Sequence, residues 1–283
     1  MINRRTFRVA IACATGVALA TGVTTLASAA STHQTASAPK PTVVLVHGAW
    51  SDAASWGAVI KRLQTKGYPV AAPPTALRSL SDDSAYLASY LKTIHGPIVL
   101  VGHSYGGSVI TNAATDNTNV KALVYISAFA PDEGETASKL TAKFPGTHIT
   151  TDPNAQVPTA LTPVPFTLAN GTAGVDLYTK ADKYRDLFLS NRLSSKAAAE
   201  LAATQRPAAP AALDGESGKP AWKIIPSWYL VSNDDHLIPP ATESFMAARA
   251  HAHTVKADTP HAAQVTNPEI VTNLIEQAAA TTR

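Results

Sequence analysis

The chain has 283 residues, of which 45% are hydrophobic and 15% charged, a composition that excludes an intrinsically disordered protein. Its 23 basic and 20 acidic side chains leave a net charge of +3, and three arginines in the first eight residues account for that excess. The rest of the chain is electrically balanced, so its composition gives no reason to expect a nucleic-acid partner or binding to an anionic membrane. The single cysteine, Cys13, excludes an intrachain disulfide and a cysteine-based metal site.

Residues 1–29 have the pattern of an export signal. Arginines near the N-terminus precede an uncharged apolar stretch over 9–26, and Ala27-Ser28-Ala29 forms a small-residue cleavage site. We therefore expect cleavage before Ala30 and a secreted protein, extracellular or periplasmic, with no stable membrane association. Glycines and threonines dilute the apolar stretch, which disfavours the alternative of an N-terminal membrane anchor. Arg4-Arg5 resembles a twin-arginine signal, and both that route and general secretion stay open.

Strand-type and helix-type patterns alternate along most of the remaining chain. Residues 30–40 are small and polar and predict a linker, followed by a domain over 41–283. The apolar run Thr42–Val46 predicts a strand buried on both faces of a parallel sheet. Further strands are predicted at 68–72, 97–101, 121–129, 227–231 and 254–257, and helices at 51–66, 82–95, 108–114, 241–250 and 268–280. This alternation predicts an α/β fold with a mostly parallel sheet flanked by helices.

The alternation fails over about 131–222, a segment rich in proline, threonine and alanine. Helical patterns occur in this segment near 181–189 and 194–203. Because a structureless loop of this length is improbable inside a compact domain, the segment predicts a small cap inserted into the fold. Four large side chains of the cap are expected either to line a pocket or to pack within the cap: Phe144, Phe166, Leu168 and Tyr178.

Gly102-His103-Ser104-Tyr105-Gly106 fits the G-x-S-x-G pattern of a nucleophile elbow. Its position matters more than its letters, because it follows a predicted buried strand and opens a predicted helix. The sharp turn is expected to strain the backbone of Ser104, while the two glycines leave room for neighbouring backbone. The serine hydroxyl then projects above the sheet at a helix N-terminus, where amide groups favour developing negative charge.

A serine nucleophile needs a base and an orienting acid, and in this architecture they follow the serine in the order acid, then histidine. The run Asn233-Asp234-Asp235-His236 follows the predicted strand 227–231 and occupies the position of the acid. His261 follows the last predicted strand and occupies the position of the base. A metal pair of His251 and His253 is the alternative use of histidine, but no third ligand lies nearby in the sequence. We therefore expect neither a metal nor a cofactor.

The first predicted strand ends at the run His47-Gly48-Ala49-Trp50. A backbone N–H at this place is expected to act with one beside the nucleophile as an oxyanion hole. Each such donor stabilises a tetrahedral oxyanion by about 3–4 kcal/mol. The sequence thus holds a candidate for every part of serine acyl transfer.

In these motifs the chain resembles the α/β-hydrolase superfamily. More narrowly, it is similar to secreted bacterial esterase-like members, which are related to plant methyl-ester esterases and hydroxynitrile lyases. The resemblance is carried by VLVHGAW, VLVGHSYGG, LVYISAFAPDEGE and NDDHLIP. It covers 41–129 and 227–280, whereas the cap matches poorly.

The resemblance implies a role for each candidate residue. It implies Ser104 as the nucleophile, His261 as the base and Asp235 as the acid. Asp235 is preferred because Asp-x-x-Ile-Pro has the family spacing, and Asp234 is the alternative. Two backbone N–H groups are implied to form the oxyanion hole: those of Ala49 and Tyr105.

The reaction expected from these parts is hydrolysis of a carboxylic ester of small or medium size through an acyl-enzyme. Epoxide hydrolases and haloalkane dehalogenases of this fold use aspartate at the elbow, so Ser104 argues against both. The related hydroxynitrile lyases carry threonine and lysine where this chain has Gly48 and Ala262, which disfavours cyanohydrin cleavage. A cofactor-free haloperoxidase and a non-catalytic ligand-binding protein stay open as alternatives, and the sequence does not indicate the oligomeric state.

Overall fold

The structure, a computed structural model, describes residues 39–282. The predicted signal peptide over 1–29 and nearly all of the predicted linker over 30–40 lie outside the described residues, so both stay predictions. Among the helices of the described part of the chain, none is both long and apolar enough to cross a bilayer.

Six parallel strands form the central sheet, which confirms the predicted α/β fold. They are β1 (Thr42–Val46), β2 (Val70–Ala71), β3 (Ile98–Ser104), β4 (Val120–Ala128), β7 (Ser227–Ser232) and β8 (His253–Ala257), in the spatial order β2-β1-β3-β4-β7-β8. β2 is shorter than the predicted 68–72, because Pro69 has no N–H group to donate to a neighbouring strand. β3 and β4 lie in the middle of the sheet, so a neighbouring strand on each side holds the residues at their ends in place.

Helices cover both faces of this sheet. They are α1 (Gly57–Thr65), α2 (Leu80–Leu91), α3 (Tyr105–Ala113), α8 (Pro240–Arg249), α9 (Ala263–Thr266) and α10 (Pro268–Ala280). Successive side chains of a strand point to opposite faces, and β1 shows this directly. Val43 packs with Leu63 of α1 and Leu274 of α10, whereas Val44 packs in the core that includes α2, α3 and α8. Helix α1 begins later than predicted, because a 3-10 turn over Ala53–Trp56 precedes it.

Residues 129–226, the intervening segment, connect β4 to β7. The segment contains α4 (Ala137–Thr141), β5 (Leu161–Thr167), β6 (Ala173–Thr179), α5 (Ala181–Leu189), α6 (Ser195–Ala203), α7 (Pro210–Leu213) and a 3-10 turn over Ala221–Lys223. Helices α5 and α6 match the two predicted helical patches. Strands β5 and β6 form an antiparallel pair that the sequence did not predict, because β5 carries Pro163 and Pro165. Proline is excluded from central strands but tolerated in a two-stranded sheet, where each strand has a free edge.

Candidate active site

Ser104 lies at the sharp turn between β3 and α3. Its backbone has φ of +52° and ψ of −125°, a conformation that L-residues rarely adopt. A Cβ at Gly102 would come within 2.6 Å of the Gly106 carbonyl oxygen, and one at Gly106 within 2.5 Å of the Val46 oxygen. Only glycine fits these two positions, because β1, β3 and α3 approach so closely. The predicted strain at Ser104 is therefore present in the structure.

His261 and Asp235 face each other in the protein interior. Nδ1 of His261 lies 2.5 Å from Oδ2 of Asp235, and both side chains are fully buried. Oδ1 of Asp235 accepts the backbone N–H groups of Leu237 at 2.7 Å and Ile238 at 2.8 Å. Three N–H donors therefore converge on the oxygens of this carboxylate, which accept them.

The contact with Asp235 fixes the tautomer of His261. An ionised carboxylate only accepts hydrogen bonds, so the ring proton lies on Nδ1 and Nε2 carries the lone pair. Nε2 is buried and has no hydrogen-bond partner among residues 39–282. The ring is thus prepared to accept a proton at Nε2.

Asp234 lies in a different environment from Asp235, although the two are adjacent in the sequence. Its carboxylate pairs with the guanidinium of Arg192 at 2.7 Å and is partly exposed to solvent. It also lies 3.4 Å from Nε2 of His236, and neither contact involves His261. Of the two candidate acids, the structure brings Asp235 to His261.

A hydrogen bond from the ring of His103 holds the backbone of His261 in place. Its Nε2 donates to the backbone carbonyl of His261 at 3.0 Å, and the two ring centroids lie 4.8 Å apart. Burial lowers the pKa of His103 well below its usual value, so the ring is neutral. A neutral ring at this place fixes the backbone of His261 without adding a second positive charge.

The two predicted oxyanion donors, Ala49 and Tyr105, line the same cavity as Ser104. Tyr105 is the first residue of α3, where backbone N–H groups have no partner within the helix. His47 holds the turn that carries Ala49: its Nε2 accepts the Thr75 N–H at 3.0 Å, so its Nδ1 donates to the carbonyl of Gly48 at 2.9 Å. Burial lowers the pKa of His47 as well, which keeps this ring neutral.

The cavity beside Ser104 has a volume of about 540 Å³. Its lining is mainly apolar and comes from the core loops and from the intervening segment: Trp50, Phe129, Ile149, Val157, Leu161, Leu177, Leu213 and Leu237. The lining does not include the four large side chains of this segment for which the sequence left a pocket role open: Phe144, Phe166, Leu168 and Tyr178. Phe144 instead packs on Phe245, and the side chain of Leu168 faces solvent.

Trp50 is the site residue that sequence reasoning missed. Its backbone is left-handed, with φ of +56°, and its indole Nε1 donates to the carbonyl of Leu177 at 2.9 Å. This hydrogen bond joins the turn of Ala49 to β6 in the intervening segment. No local sequence signal marks such a contact, because the partners lie 127 residues apart.

The predicted alternative of a His251–His253 metal pair gains no support from the geometry. The ring of His253 stacks on Trp228, with centroids 4.9 Å apart. Two other groups of candidate ligands converge in the described part of the chain: Asp235, Glu243 and His261, and His148, Asp186 and His236. The first group consists of the Asp235–His261 pair and Glu243 and is fully buried, whereas the residues of the second group are partly exposed.

The comparisons with known proteins agree with this architecture. The chain is 32% identical over 113 residues to a carbendazim hydrolyzing esterase of Nocardioides sp. (strain SG-4G), covering 35% of this chain and 47% of that protein. It is 25% identical over 261 residues to the alpha/beta hydrolase nvfD of Aspergillus novofumigatus (strain IBT 16806), covering 85% of this chain and 97% of that protein. The solved structure of polyneuridine aldehyde esterase superimposes with a TM-score of 0.69 at 18% identity, covering 84% of this chain and 98% of that one.

The matched region of the carbendazim hydrolyzing esterase spans about half of that protein's length. The likeness to polyneuridine aldehyde esterase shows the shared fold. The profile of the alpha/beta hydrolase family matches residues 43–273, a region that contains the whole central sheet, Ser104, Asp235 and His261. The chain therefore belongs to the alpha/beta hydrolase family.

Proposed function

We propose that the protein is a serine-dependent hydrolase of carboxylic esters. The observation that carries the proposal is the buried Asp235–His261 pair, whose Nε2 has no hydrogen-bond partner among residues 39–282, in a chain whose strained Ser104 ends the central strand β3. In this proposal Ser104 is the nucleophile, His261 the general base and Asp235 the acid that orients it. Membership in the hydrolase family and the esterase names of two relatives support the same reaction.

The first half of the reaction forms an acyl-enzyme. Nε2 of His261 takes the proton of Ser104 as Oγ attacks the ester carbonyl carbon. The backbone N–H groups of Ala49 and Tyr105 stabilise the negative oxygen of the tetrahedral intermediate. The imidazolium of His261, paired with Asp235, then gives its proton to the departing alkoxide, and an alcohol leaves.

The second half of the reaction releases the acid. His261 removes a proton from a water molecule, which attacks the acyl carbon bound to Ser104. Collapse of the second tetrahedral intermediate breaks the bond to Oγ, and His261 returns the proton to the serine. The cycle needs neither a metal nor a cofactor.

The lining of the cavity supports an uncharged, apolar ester of small or medium size as the substrate. A volume of about 540 Å³ lies within the range of about 300–1,000 Å³ found for small-molecule sites. We further propose that the intervening segment acts as a cap over Ser104, because Ile149, Val157 and Leu161 of this segment line the cavity. Burial of apolar acyl or alcohol groups against these side chains stabilises the bound ester.

The proposal is tested with a panel of p-nitrophenyl and alkyl esters and with a serine-directed phosphonate. Ser104→Ala is expected to abolish both turnover and stoichiometric labelling. Ser138→Ala is the matched control, since Ser138 lines the same cavity but has no role in the mechanism. Turnover that survives in Ser104→Ala would refute the proposal, whereas a folded wild-type protein that neither hydrolyses esters nor takes the label would favour a non-catalytic binding protein.

We also propose that the chain is exported, on the sequence pattern of residues 1–29. Cleavage before Ala30 follows from the small residues at 27–29. Replacing Arg4-Arg5 by Lys-Lys is expected to block export by the twin-arginine route, whereas unchanged secretion would point to the general pathway.

A further inference from the structure

A second carboxyl group lies against the Asp235–His261 pair. Glu243, in the first turn of α8, is fully buried. Its Oε2 accepts the backbone N–H of Ser232 at 2.7 Å, whereas its Oε1 has no assigned partner among the described residues. Ligand-type atoms of Glu243, Asp235 and His261 all lie within 4.8 Å of one another. The mechanism described above makes no use of this group.

Two ionised carboxylates in contact in the protein interior repel each other strongly, so one of them must be protonated. Among the described residues, Asp235 accepts three N–H donors, including Nδ1 of His261, and Glu243 accepts only one. Burial, and then the charge of Asp235, raise the pKa of Glu243 well above its usual value. Tyr229 also faces Glu243; burial raises the pKa of its hydroxyl well above the usual value, so it is neutral, and it donates to the carbonyl of Ala128.

Protonation of Glu243 would give its Oε1 the hydrogen-bond partner that it otherwise lacks. A carboxylic acid has one O–H donor, and the carboxylate nearest to it is an acceptor. An oxygen that has no partner as an acceptor therefore becomes a satisfied donor. Buried polar atoms without partners are rare in folded proteins, so protonation of Glu243 accounts for both the burial and the position of its side chain.

We propose that Glu243 is a positioning residue that donates its carboxyl proton in a hydrogen bond to the carboxylate of Asp235. The inference rests on the proposed function, since it concerns the acid of that same site. The added donor holds the Asp235 carboxylate in place for His261 and tempers its attraction for the imidazole proton. Because Glu243 also binds the N–H of Ser232, it ties this carboxylate to the end of β7.

Three variants separate positioning from a merely structural role. Glu243→Gln keeps a donor for Asp235 and an acceptor for Ser232, so its kcat is expected to stay within about threefold of the wild type. Glu243→Leu removes both groups and is expected to lower kcat about 10- to 100-fold, with KM nearly unchanged, because one hydrogen bond to a charged group is lost. Thr242→Val is the matched control: Thr242 is a buried neighbour in the same turn of α8.

The pH profile is the readout that distinguishes positioning from structural support. Without the donor, Asp235 attracts the imidazole proton more strongly, so the acid limb of kcat/KM is expected to move to higher pH in Glu243→Leu. Glu243→Gln and Thr242→Val are expected to keep the limb of the wild type. An unshifted limb in a folded Glu243→Leu protein, or a Glu243→Gln variant as impaired as Glu243→Leu, would overturn the proposal.

A second measurement does not require ester turnover. Infrared difference spectra of wild type and Glu243→Gln at neutral pH are expected to show one buried protonated carboxyl band, present in the wild type and lost in the variant. Absence of that band, or a stoichiometric metal ion found by elemental analysis at Asp235, Glu243 and His261, would overturn the proposal. If turnover proves independent of Ser104 while the band is present, the proposed function fails and the Glu243–Asp235 hydrogen bond stands.

Discussion

Replacing Asp235 by asparagine is the most informative change at this site, because the geometry dictates how the new side chain is oriented. Two backbone donors, the N–H groups of Leu237 and Ile238, converge on Oδ1. They require an oxygen there, so the asparagine NH₂ group must face Nδ1 of His261. That NH₂ group donates, and the imidazole proton is driven from Nδ1 to Nε2.

The expected loss follows from the wrong tautomer. With its proton on Nε2, His261 cannot accept the proton of Ser104, and only a minor population of rings keeps the productive form. An acid-to-amide change of this kind in a serine triad lowers kcat by about 10⁴-fold, which corresponds to about 5.4 kcal/mol in activation free energy. The shape of the side chain is unchanged, so the fold is expected to persist.

Asp234→Asn is the matched control for this experiment. Asp234 pairs with Arg192 at a partly exposed site, where an ion pair contributes about 0–1 kcal/mol to stability, so kcat is expected to change less than about twofold. The assay is hydrolysis of p-nitrophenyl acetate, with circular dichroism as the check on folding. A crippled Asp234→Asn and an active Asp235→Asn would show that the acid is misassigned by one residue.

Four further predictions concern the pH dependence of activity, metal, stability and export. Hydrolysis is expected to fall at acid pH through one protonation, measured as kcat/KM against pH, since His261 must be neutral to act as a base. Dialysis against EDTA is expected to leave turnover unchanged, and recovery of a lost activity by zinc would contradict this. Hydrogen bonds from His148 and His236 outweigh the effect of burial and lower the pKa of Asp186, so its contribution to stability is present near neutral pH and lost as pH falls. Asp186→Asn is thus expected to lower Tm by about 1–4 °C at pH 7 and by less in acid, measured by thermal melts. Terminal sequencing of the secreted protein is expected to begin at or near Ala30, and an intact Met1 would refute cleavage.

Strand-type and helix-type patterns alternate along the chain, and the sequence predicts those site residues that come at or after the ends of strands. Continuous apolar runs mark the buried strands, and parallel strands bring their carboxyl ends to one edge of the sheet. Ser104 ends one such strand and Asp235 follows another, whereas His261 follows the edge strand β8, so the sequence predicts all three residues at the same edge of the sheet. The glycines around Ser104 add a local signal, because the turn needs close backbone approach.

The remaining features depend on packing that no local pattern reports. Strand β5 was not predicted because it contains prolines, which usually interrupt a β-sheet. Glu243 reads in sequence as an ordinary polar residue in the first turn of an amphipathic helix, and its complete burial appears only when α8 packs on the end of β7. Asp234 and Asp235 are chemically identical neighbours, and the turn after β7 alone decides which carboxylate faces His261.

Most of the titratable groups around His261 are uncharged, which explains how so many of them can lie together in the buried interior. His47 and His103 have pKa values lowered by burial, and that of Glu243 is raised, so all three are neutral and act through hydrogen bonds. Asp235, with its backbone donors, then provides the charge that the imidazolium needs when His261 accepts a proton. A second ionised group in contact would either hold that proton too tightly or oppose its arrival, since Coulomb interactions are strong where water is excluded. In the proposed mechanism, neutral neighbours let the proton move between Ser104 and His261 while the surrounding dipoles stay fixed, which is how a preorganised site lowers the barrier.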